Sequence, residues 1–342
     1  MIRSGSRGAR LHARGARLHA RGNKNMTYRE KRMRRAKKRR FGEFARTDLA
    51  CEAWDGSGGV IYDEERTAAA TVGVSIMRMR IVTRAASERL GRRRGNYITA
   101  ASERSFSEFD DAASSALSGI VGKELLGLCE SLCGRAPGAD LGVMVAGLGN
   151  ADMTADAVGP ETALRVPATQ HLREFEVGLY EALGCSAVTV IAPGVLGQTG
   201  VESAELLRGA VRAARPDLVI AVDALAAKSC ERLGRTIQLS DSGITPGSGV
   251  GNERRALTKA TLGVPVISVG VPTVVDSSTL VWEALEKAGM TSADGEDELP
   301  PPLRAVLENG RSFFVSPREA DVITKQAARI IAGAISGVFG VG

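Results

Sequence analysis

The chain has 342 residues, of which 44% are hydrophobic and 25% charged, a composition typical of a globular protein with one or two domains. We expect neither a transmembrane helix nor a secretory signal, because no apolar run is long enough for the first and the N-terminus lacks the apolar region of the second. Five scattered cysteines argue against a disulfide framework, and three histidines exclude a zinc site built from several of them.

The positive net charge is concentrated at the N-terminus. Residues 1–46 hold 17 basic and two acidic residues, a net of +15, whereas the other 296 hold 28 basic and 37 acidic residues, a net of −9. The segment GARLHAR occurs at residues 8–14 and again at 15–21. This low-complexity pattern predicts a disordered basic tail, with translation starting at Met1 or at Met26. An electrostatic contact with nucleic acid is the functional alternative.

The rest of the chain alternates apolar strands with helical patterns. Such alternation predicts an α/β fold with a mostly parallel, doubly wound sheet flanked by helices. Strands are expected at 72–79, 97–99, 141–146, 187–192, 217–222, 236–239 and 265–271, and helices at 102–133, 202–215, 279–287 and 317–337.

The chemistry-bearing residues that remain after motif tests are acidic. No P-loop, complete dinucleotide fingerprint, nucleophile elbow or HExxH motif is present. Asp156 follows the strand predicted at 141–146, and Asp223 follows the one at 217–222. Two carboxylates brought together at the carboxyl edge of a sheet would share a proton and could hydrolyse a peptide bond. Alternatively, Asp156 is a helix N-cap and Asp223 a turn residue, or the pair binds a metal.

Nine segments in the same order resemble the germination protease family of spore-forming bacteria, from residue 46 towards the C-terminus. They are RTDLA (46–50), GLGN (147–150), DAVGP (156–160), PGVLGQTG (193–200), DALAAK (223–228), TIQ (236–238), DSGI (241–244), PGSGVGN (246–252) and GVPTVVD (270–276).

The resemblance implies an endopeptidase of atypical aspartic type, without a cofactor, on a fold similar to hydrogenase maturation proteases. Its proposed catalytic carboxylates correspond to Asp156 and Asp223. The related maturation proteases bind nickel with acids at these positions, so a metal-sensing protease is an alternative reading. A nucleic-acid-binding protein that acts through its basic tail is a non-enzymatic alternative.

The resemblance also implies a zymogen that removes its own N-terminal segment. We expect the cut at Asp48–Leu49, which divides the chain into a tail at 1–48 and a peptidase domain at 49–342. GEFA at residues 42–45 offers Glu43–Phe44 as a second cleavage point. The substrates implied are small acid-soluble spore proteins in the cytoplasm of the forespore or spore core, and the assembly implied is a homotetramer. No membrane is involved, and contact with nucleic acid is only indirect.

Further residues of the matching segments are expected to line the site. Backbone N–H groups of the glycine-rich segments would bind the substrate or a developing oxyanion, or else these glycines simply form tight turns. His171 is expected to be structural. The tail is longer and more basic than is usual for the family, and the segment between Met290 and Phe314 is shorter. The expected site-lining residues are Gly147, Gly149, Asn150, Gly197, Gln198, Gly200, Asp241, Gly249 and Asn252.

Overall fold

The computed structural model describes residues 47–69, 72–251, 254–288 and 313–341. Within these residues nine strands form one sheet, in the order β1-β2-β3-β7-β8-β6-β4-β5, with β9 paired to β8. The strands are β1 (Val60–Ala69), β2 (Val72–Ile81), β3 (Gly95–Ser102), β4 (Gly142–Gly147), β5 (Ala187–Ile191), β6 (Leu218–Ala227), β7 (Thr236–Ser240), β8 (Val266–Asp276) and β9 (Phe314–Val315).

The sheet is mixed rather than mostly parallel. Strands β8, β6, β4 and β5 run parallel, while β1, β2, β3, β7 and β9 join the sheet through antiparallel pairings. The connection from β1 to β2 is too short for the crossover that a parallel pairing needs. The predicted α/β architecture with flanking helices is confirmed, and its parallel part is the half that carries Asp223.

Helices flank the sheet. The described helices are α1 (Ala50–Ala53), α2 (Arg84–Leu90), α3 (Asp111–Cys133), α4 (Val158–Ala163), α5 (Gln170–Phe175), α6 (Val177–Leu183), α7 (Leu196–Thr199), α8 (Ser203–Ala214), α9 (Lys259–Leu262), α10 (Ser277–Lys287) and α11 (Ala320–Phe339). The predicted start of α3 was nine residues too early because Asp110, not Ser102, caps it by accepting a 2.8 Å hydrogen bond from the Ala113 N–H.

The two longest helices, α3 and α11, pack together in the main core. Ser118 on α3 donates a 2.9 Å hydrogen bond to the Ile330 carbonyl on α11, and Gly122 faces the backbone of Ala334. In the described part of the chain, α11 alone is long and apolar enough to span a membrane, but over half of that stretch is buried inside the protein. Its apolar residues are therefore explained by this packing.

The strands β6 and β8 are longer than the sequence predicts. Both continue past the expected ends at Val222 and Val271, to Ala227 and Asp276. Asp223 is therefore a residue inside a strand, and the expectation that it follows the strand, as a turn residue or otherwise, is wrong. The boundary between a tail at 1–48 and a domain at 49–342 stays a prediction, because residues 1–46 lie outside the described part.

Candidate active site

Asp223 lies where β6 extends beyond the end of its neighbour β4. The last residue of β4, Gly147, pairs with Val222, so Asp223 is the first residue of β6 beyond that pairing. The side chain is 5% exposed, and its Oδ1 accepts a 3.0 Å hydrogen bond from the Ala224 N–H. In an α/β sheet, ligands bind beyond the carboxyl ends of the parallel strands, and Asp223 stands at that edge.

Asp156 ends a short 3₁₀ helix, Thr154–Asp156, which hydrogen bonds hold against the sheet and α11. Thr273 on β8 donates to the Ala155 carbonyl at 2.6 Å, and Thr324 on α11 donates to the Thr154 carbonyl at 2.9 Å. The Asn150 N–H donates to Asp156 Oδ2 at 2.8 Å. These bonds fix the carboxylate at the end of the β4 connection.

Glycines let these segments approach closely enough to assemble the site. Gly149 has a φ of +112°, and a Cβ there would collide with the Asp156 carbonyl oxygen. A Cβ at Gly159 on α4 would collide with the backbone of Leu148 and with the Val222 carbonyl. Any side chain at either position would push Asp156 or α4 away from β6.

The two carboxyl groups are electrostatically coupled. Burial raises the pKa of Asp223 well above its ordinary value, and the charges of Asp156 and then Asp48 raise it further. Burial also raises the pKa of Asp156, while the Asn150 N–H lowers it. The arrangement favours a pair that holds one proton at a pH where ordinary aspartates hold none.

A cavity of about 400 Å³ contains both acids. Arg254 and Glu202 form an ion pair in its lining, with 3.6 Å between Nη1 and Oε1. The lining residues are Asp48, Leu148, Gly149, Met153, Ala155, Asp156, Val195, Leu196, Glu202, Ser203, Asp223, Ala224, Leu225, Ala226, Pro246, Gly247, Arg254, Thr273, Val274 and Phe314.

Asp48 reaches this cavity because it is bound to the end of β6. Its N–H donates to the Ala226 carbonyl at 2.8 Å, and its Oδ2 accepts from the Ala226 N–H at 2.9 Å. The hydroxyl of Ser248 donates to Asp48 Oδ1 at 2.6 Å. A register shift between β6 and β8 immediately precedes Ala226. Irregular pairing of this kind re-aims strand residues next to functional sites.

The residues after Asp48 are equally well held. The Leu49 side chain is fully buried against Leu225, Ala227 and Val275. The carboxylate of Glu52 accepts hydrogen bonds from the backbone N–H groups of Lys228 at 2.7 Å and Ser229 at 3.0 Å. The segment that contains the peptide bond predicted to be cleaved is thus held against the end of β6, and its Asp48 shares a cavity with the acid pair.

The remaining predicted site residues divide between the cavity and its surroundings. Gly149 lines the cavity, whereas Gln198 donates to Asn150 Oδ1 at 2.7 Å behind it. Gly249 lies against the Asp48 carboxylate, where a Cβ would collide with it. Gly197 lies in α7 and Gly200 directly follows it, and neither lines the cavity, whereas the neighbouring Val195 and Leu196 do. Asn252 lies outside the described residues.

Two further predicted site residues, Asp241 and Gly147, do not line the cavity of the acid pair. The Asp241 carboxylate accepts hydrogen bonds from the Asn96 backbone at 2.7 Å and from its side chain, and so closes the β3–β7 pairing away from the acid pair. Gly147 packs against the backbone of Gly159. Segment-level similarity could not separate these residues from those that line the cavity.

Ser248 and Gln238 contact the Asp48 segment, and the sequence analysis did not single them out. Ser248 stands in the glycine-rich segment at 246–252, and Gln238 stands in TIQ between the apolar Ile237 and Leu239. A polar residue inside an apolar strand was the available signal, because a buried amide requires hydrogen-bond partners.

Over the described ranges, no group of three or more histidine, cysteine, aspartate or glutamate side chains is arranged to hold a metal ion. The carboxylates instead accept hydrogen bonds from backbone N–H groups and from Ser248.

Comparisons with known proteins agree on one family. The germination protease family model matches residues 51–291. The curated germination protease of Caldanaerobacter subterraneus subsp. tengcongensis is 35% identical to this chain, and the match covers 85% of this chain and 93% of that protein. The curated germination protease of Priestia megaterium is 37% identical, and the match covers 78% of this chain and 73% of that protein.

A solved structure is also similar to part of the chain. It is a NiFe hydrogenase maturation protease, HycI, from Thermococcus kodakarensis, 19% identical with a TM-score of 0.34 over 63% of this chain and 98% of that one. The family model and the curated relatives show that the chain is a protease and belongs to the germination protease family.

Proposed function

We propose that the chain is a self-processing endopeptidase of atypical aspartic type, in which Asp156 and Asp223 are the catalytic pair. The observation that carries the proposal is that both carboxyls share one cavity with the Asp48 carboxylate. The three carboxyl groups are drawn together by β6, by the 3₁₀ helix and by the segment at the predicted cleavage point.

The coupled pair supports a mechanism in which one carboxyl is ionised and the other protonated. The ionised group accepts a proton from water as the water attacks the carbonyl carbon, and the protonated group gives a proton to the departing amide nitrogen. Since the two groups titrate together, the roles belong to the pair rather than to one residue.

The proposed self-cleavage breaks the Asp48–Leu49 bond. The carboxylate side chain of Asp48 is held by Ser248 and by the Ala226 N–H, and the apolar side chain of Leu49 is buried. Since the segment is bound to the site of its own chain, cleavage would be intramolecular and its rate independent of protein concentration. The alternative point, Glu43–Phe44, lies outside the described residues.

The proposed substrates are small acid-soluble spore proteins, cleaved in the forespore or spore core by a homotetramer of this chain. The contacts of Asp48 and Leu49 support an acidic residue before the cleaved bond and an apolar one after it. The name germination protease, carried by the curated relatives, supports a role in spores. Gly247 in the cavity wall supports backbone contacts with substrate.

Intact-mass analysis tests the catalytic pair. Wild type, Asp156→Asn and Asp223→Asn are incubated at mildly acidic and neutral pH, with and without chelator. We expect residues 1–48 to be lost from wild type and from an Asp140→Asn control, whose side chain is exposed, but from neither of the other variants. Equal processing in all four proteins would contradict the proposal.

The same experiment separates the alternatives. Loss of processing on addition of chelator would indicate a metal-dependent protease instead. No processing in any protein, combined with DNA binding that weakens steeply with salt and requires residues 1–46, would indicate the nucleic-acid-binding function.

A further inference from the structure

Gln238 is a buried amide on β7 that faces the same side of the sheet as Asp223. It is 7% exposed, and both it and Asp223 pair with Gly270 of the intervening strand β8. Paired residues of adjacent strands point to the same face. Gly270 itself adds no side chain between the acid and the amide, and the Leu225 side chain lies against it, so that a Cβ there would be 2.6 Å from Leu225 carbons.

The carboxamide of Gln238 contacts both sides of the Leu49 residue. Its Nε2 donates to the Asp48 carbonyl oxygen at 3.1 Å, and its Oε1 accepts from the Ala50 N–H at 2.7 Å. Because an N–H can only donate, the bond from Ala50 fixes which end of the amide faces the Asp48 carbonyl. An N–H donor therefore points at the carbonyl oxygen of Asp48, whose carbonyl carbon forms the peptide bond proposed to break.

Asp48 connects the amide donor with the acid pair through two cavities. Asp48 lines the cavity that contains Asp156 and Asp223, and it also lines a second cavity of about 350 Å³ that contains Gln238. Water activated by the acids would reach the carbonyl carbon from the first cavity. The amide would meet the oxygen from the second.

We propose that Gln238 is a catalytic residue that stabilises the oxyanion formed during cleavage, an inference that rests on the proposed self-cleavage at Asp48–Leu49. As the water oxygen bonds to the Asp48 carbonyl carbon, the π electrons of the carbonyl move onto its oxygen, and the Nε2–H holds that charge. When the carbonyl re-forms, the bond to the Leu49 nitrogen breaks and the protonated carboxyl supplies the proton. Gln238 gains and loses no proton.

The same contact would act on substrates in trans. A peptide bound as residues 47–50 are bound would offer its own carbonyl oxygen to Nε2 and its second N–H after the cleaved bond to Oε1. Gln238 would thereby select an extended backbone at the site as well as lower the barrier to attack.

The test is the single-turnover rate of self-processing in the full chain carrying Gln238→Glu. This variant keeps the acceptor for Ala50 but loses the donor when ionised. At neutral pH we expect the rate to fall by about 100- to 1000-fold, as when one oxyanion donor is removed. As the pH is lowered, the introduced carboxyl becomes protonated and regains an O–H donor, so the loss relative to wild type should shrink.

Two further variants make the result specific. Gln238→Met keeps the length but offers neither donor nor acceptor, and its loss should not shrink at low pH. Gln170→Glu is the matched control, since Gln170 lies on α5, where its exposed side-chain amide donates a hydrogen bond to Glu174. Thermal melts establish that each variant is folded. If one Gln238 variant does not fold, the processing rate of the other, divided by the wild-type rate at each pH, still tests the proposal.

The outcomes distinguish this inference from the proposed function. Wild-type processing by Gln238→Glu, or losses in Gln238→Glu and Gln238→Met that stay equal at every pH, would overturn the role of Gln238 and leave the acid pair untouched. Normal processing by Asp223→Asn would instead overturn the proposed function itself.

Discussion

Asp223 and Gln238 lie in one row across three adjacent strands, with Gly270 between them. Two strand spacings of about 4.8 Å separate their Cα atoms by roughly 10 Å. A Cβ at Gly270 would lie 2.6 Å from Leu225 side-chain carbons, and Leu225 in turn packs on Leu49. The row therefore carries an acid, a glycine covered by Leu225 and an amide, and the amide is hydrogen-bonded to the segment at residues 48–50.

The rate of self-processing should follow a bell-shaped pH profile, with both limbs set by titration of the acid pair. Processing stops at low pH when both carboxyls are protonated and at high pH when both are ionised. Because burial raises the pKa of both Asp156 and Asp223, we expect the alkaline limb above the ordinary range of aspartate. Intact-mass rates across pH measure it, and a profile flat through both limbs would contradict the pair.

Asp223→Asn should stabilise the protein at neutral pH and not at acidic pH. Burial raises the pKa of Asp223 above the ordinary 3.8, so the folded state keeps a proton that the unfolded state loses. Stability is then lost as the pH rises from the unfolded pKa through the folded pKa. Thermal melts of Asp223→Asn and Asp140→Asn at about pH 3, below the unfolded pKa of aspartate, and at about pH 7, above it, measure the difference. Equal destabilisation at both pH values would contradict it.

Ser248→Ala should slow self-processing by roughly 10- to 100-fold. The lost hydrogen bond to the Asp48 carboxylate is charge-assisted, and such bonds contribute about 1.5 to 3 kcal/mol. The control is Ser115→Ala, since Ser115 is exposed on α3. An unchanged rate in Ser248→Ala would indicate that the Ala226 contacts alone position Asp48.

Gly159→Ala should lower the free energy of unfolding by about 1 to 3 kcal/mol or more and abolish processing. The added methyl group would meet backbone atoms of Leu148 and Val222, which cannot move without separating α4 from the sheet. Gly119→Ala on α3 meets nothing within 4 Å and should be neutral or stabilising. Denaturant unfolding of both variants measures the contrast, and equal stability would refute the close packing.

Much of the fold followed from local patterns, and much of the site did not. Apolar runs located strands such as β4 and β5 to within a residue or two, because buried parallel strands have few polar interruptions. The ends of β6 and β8 were missed because Asp223 and Pro272 look like strand breakers, whereas neighbouring strands and a register shift accommodate them. Only tertiary pairing shows that the extra length exists.

Among the site residues, the acids could be found by their chemistry and by family resemblance. Gln238 could not, because its importance comes from its row and from its partners, Asp48 and Ala50, which are almost 190 residues away along the chain. Asp241 illustrates the reverse case, since it lies in a matching segment but hydrogen-bonds Asn96 at the β3–β7 pairing and does not line the cavity. Segment similarity detects a family, while hydrogen-bond partners distinguish the role of each residue.

The anchoring of Leu49 and Glu52 has a consequence for the kinetics of maturation. Breaking the bond after Asp48 removes no contact from the buried Leu49 side chain or from the Glu52 carboxylate, which Lys228 and Ser229 continue to hold. The new N-terminus would thus remain bound where an incoming substrate must place the residues after its own cleaved bond. Maturation then has two steps, cleavage of the chain and release of the new N-terminus from this position. Turnover of an external peptide would therefore begin with a lag after the mass of the protein has decreased.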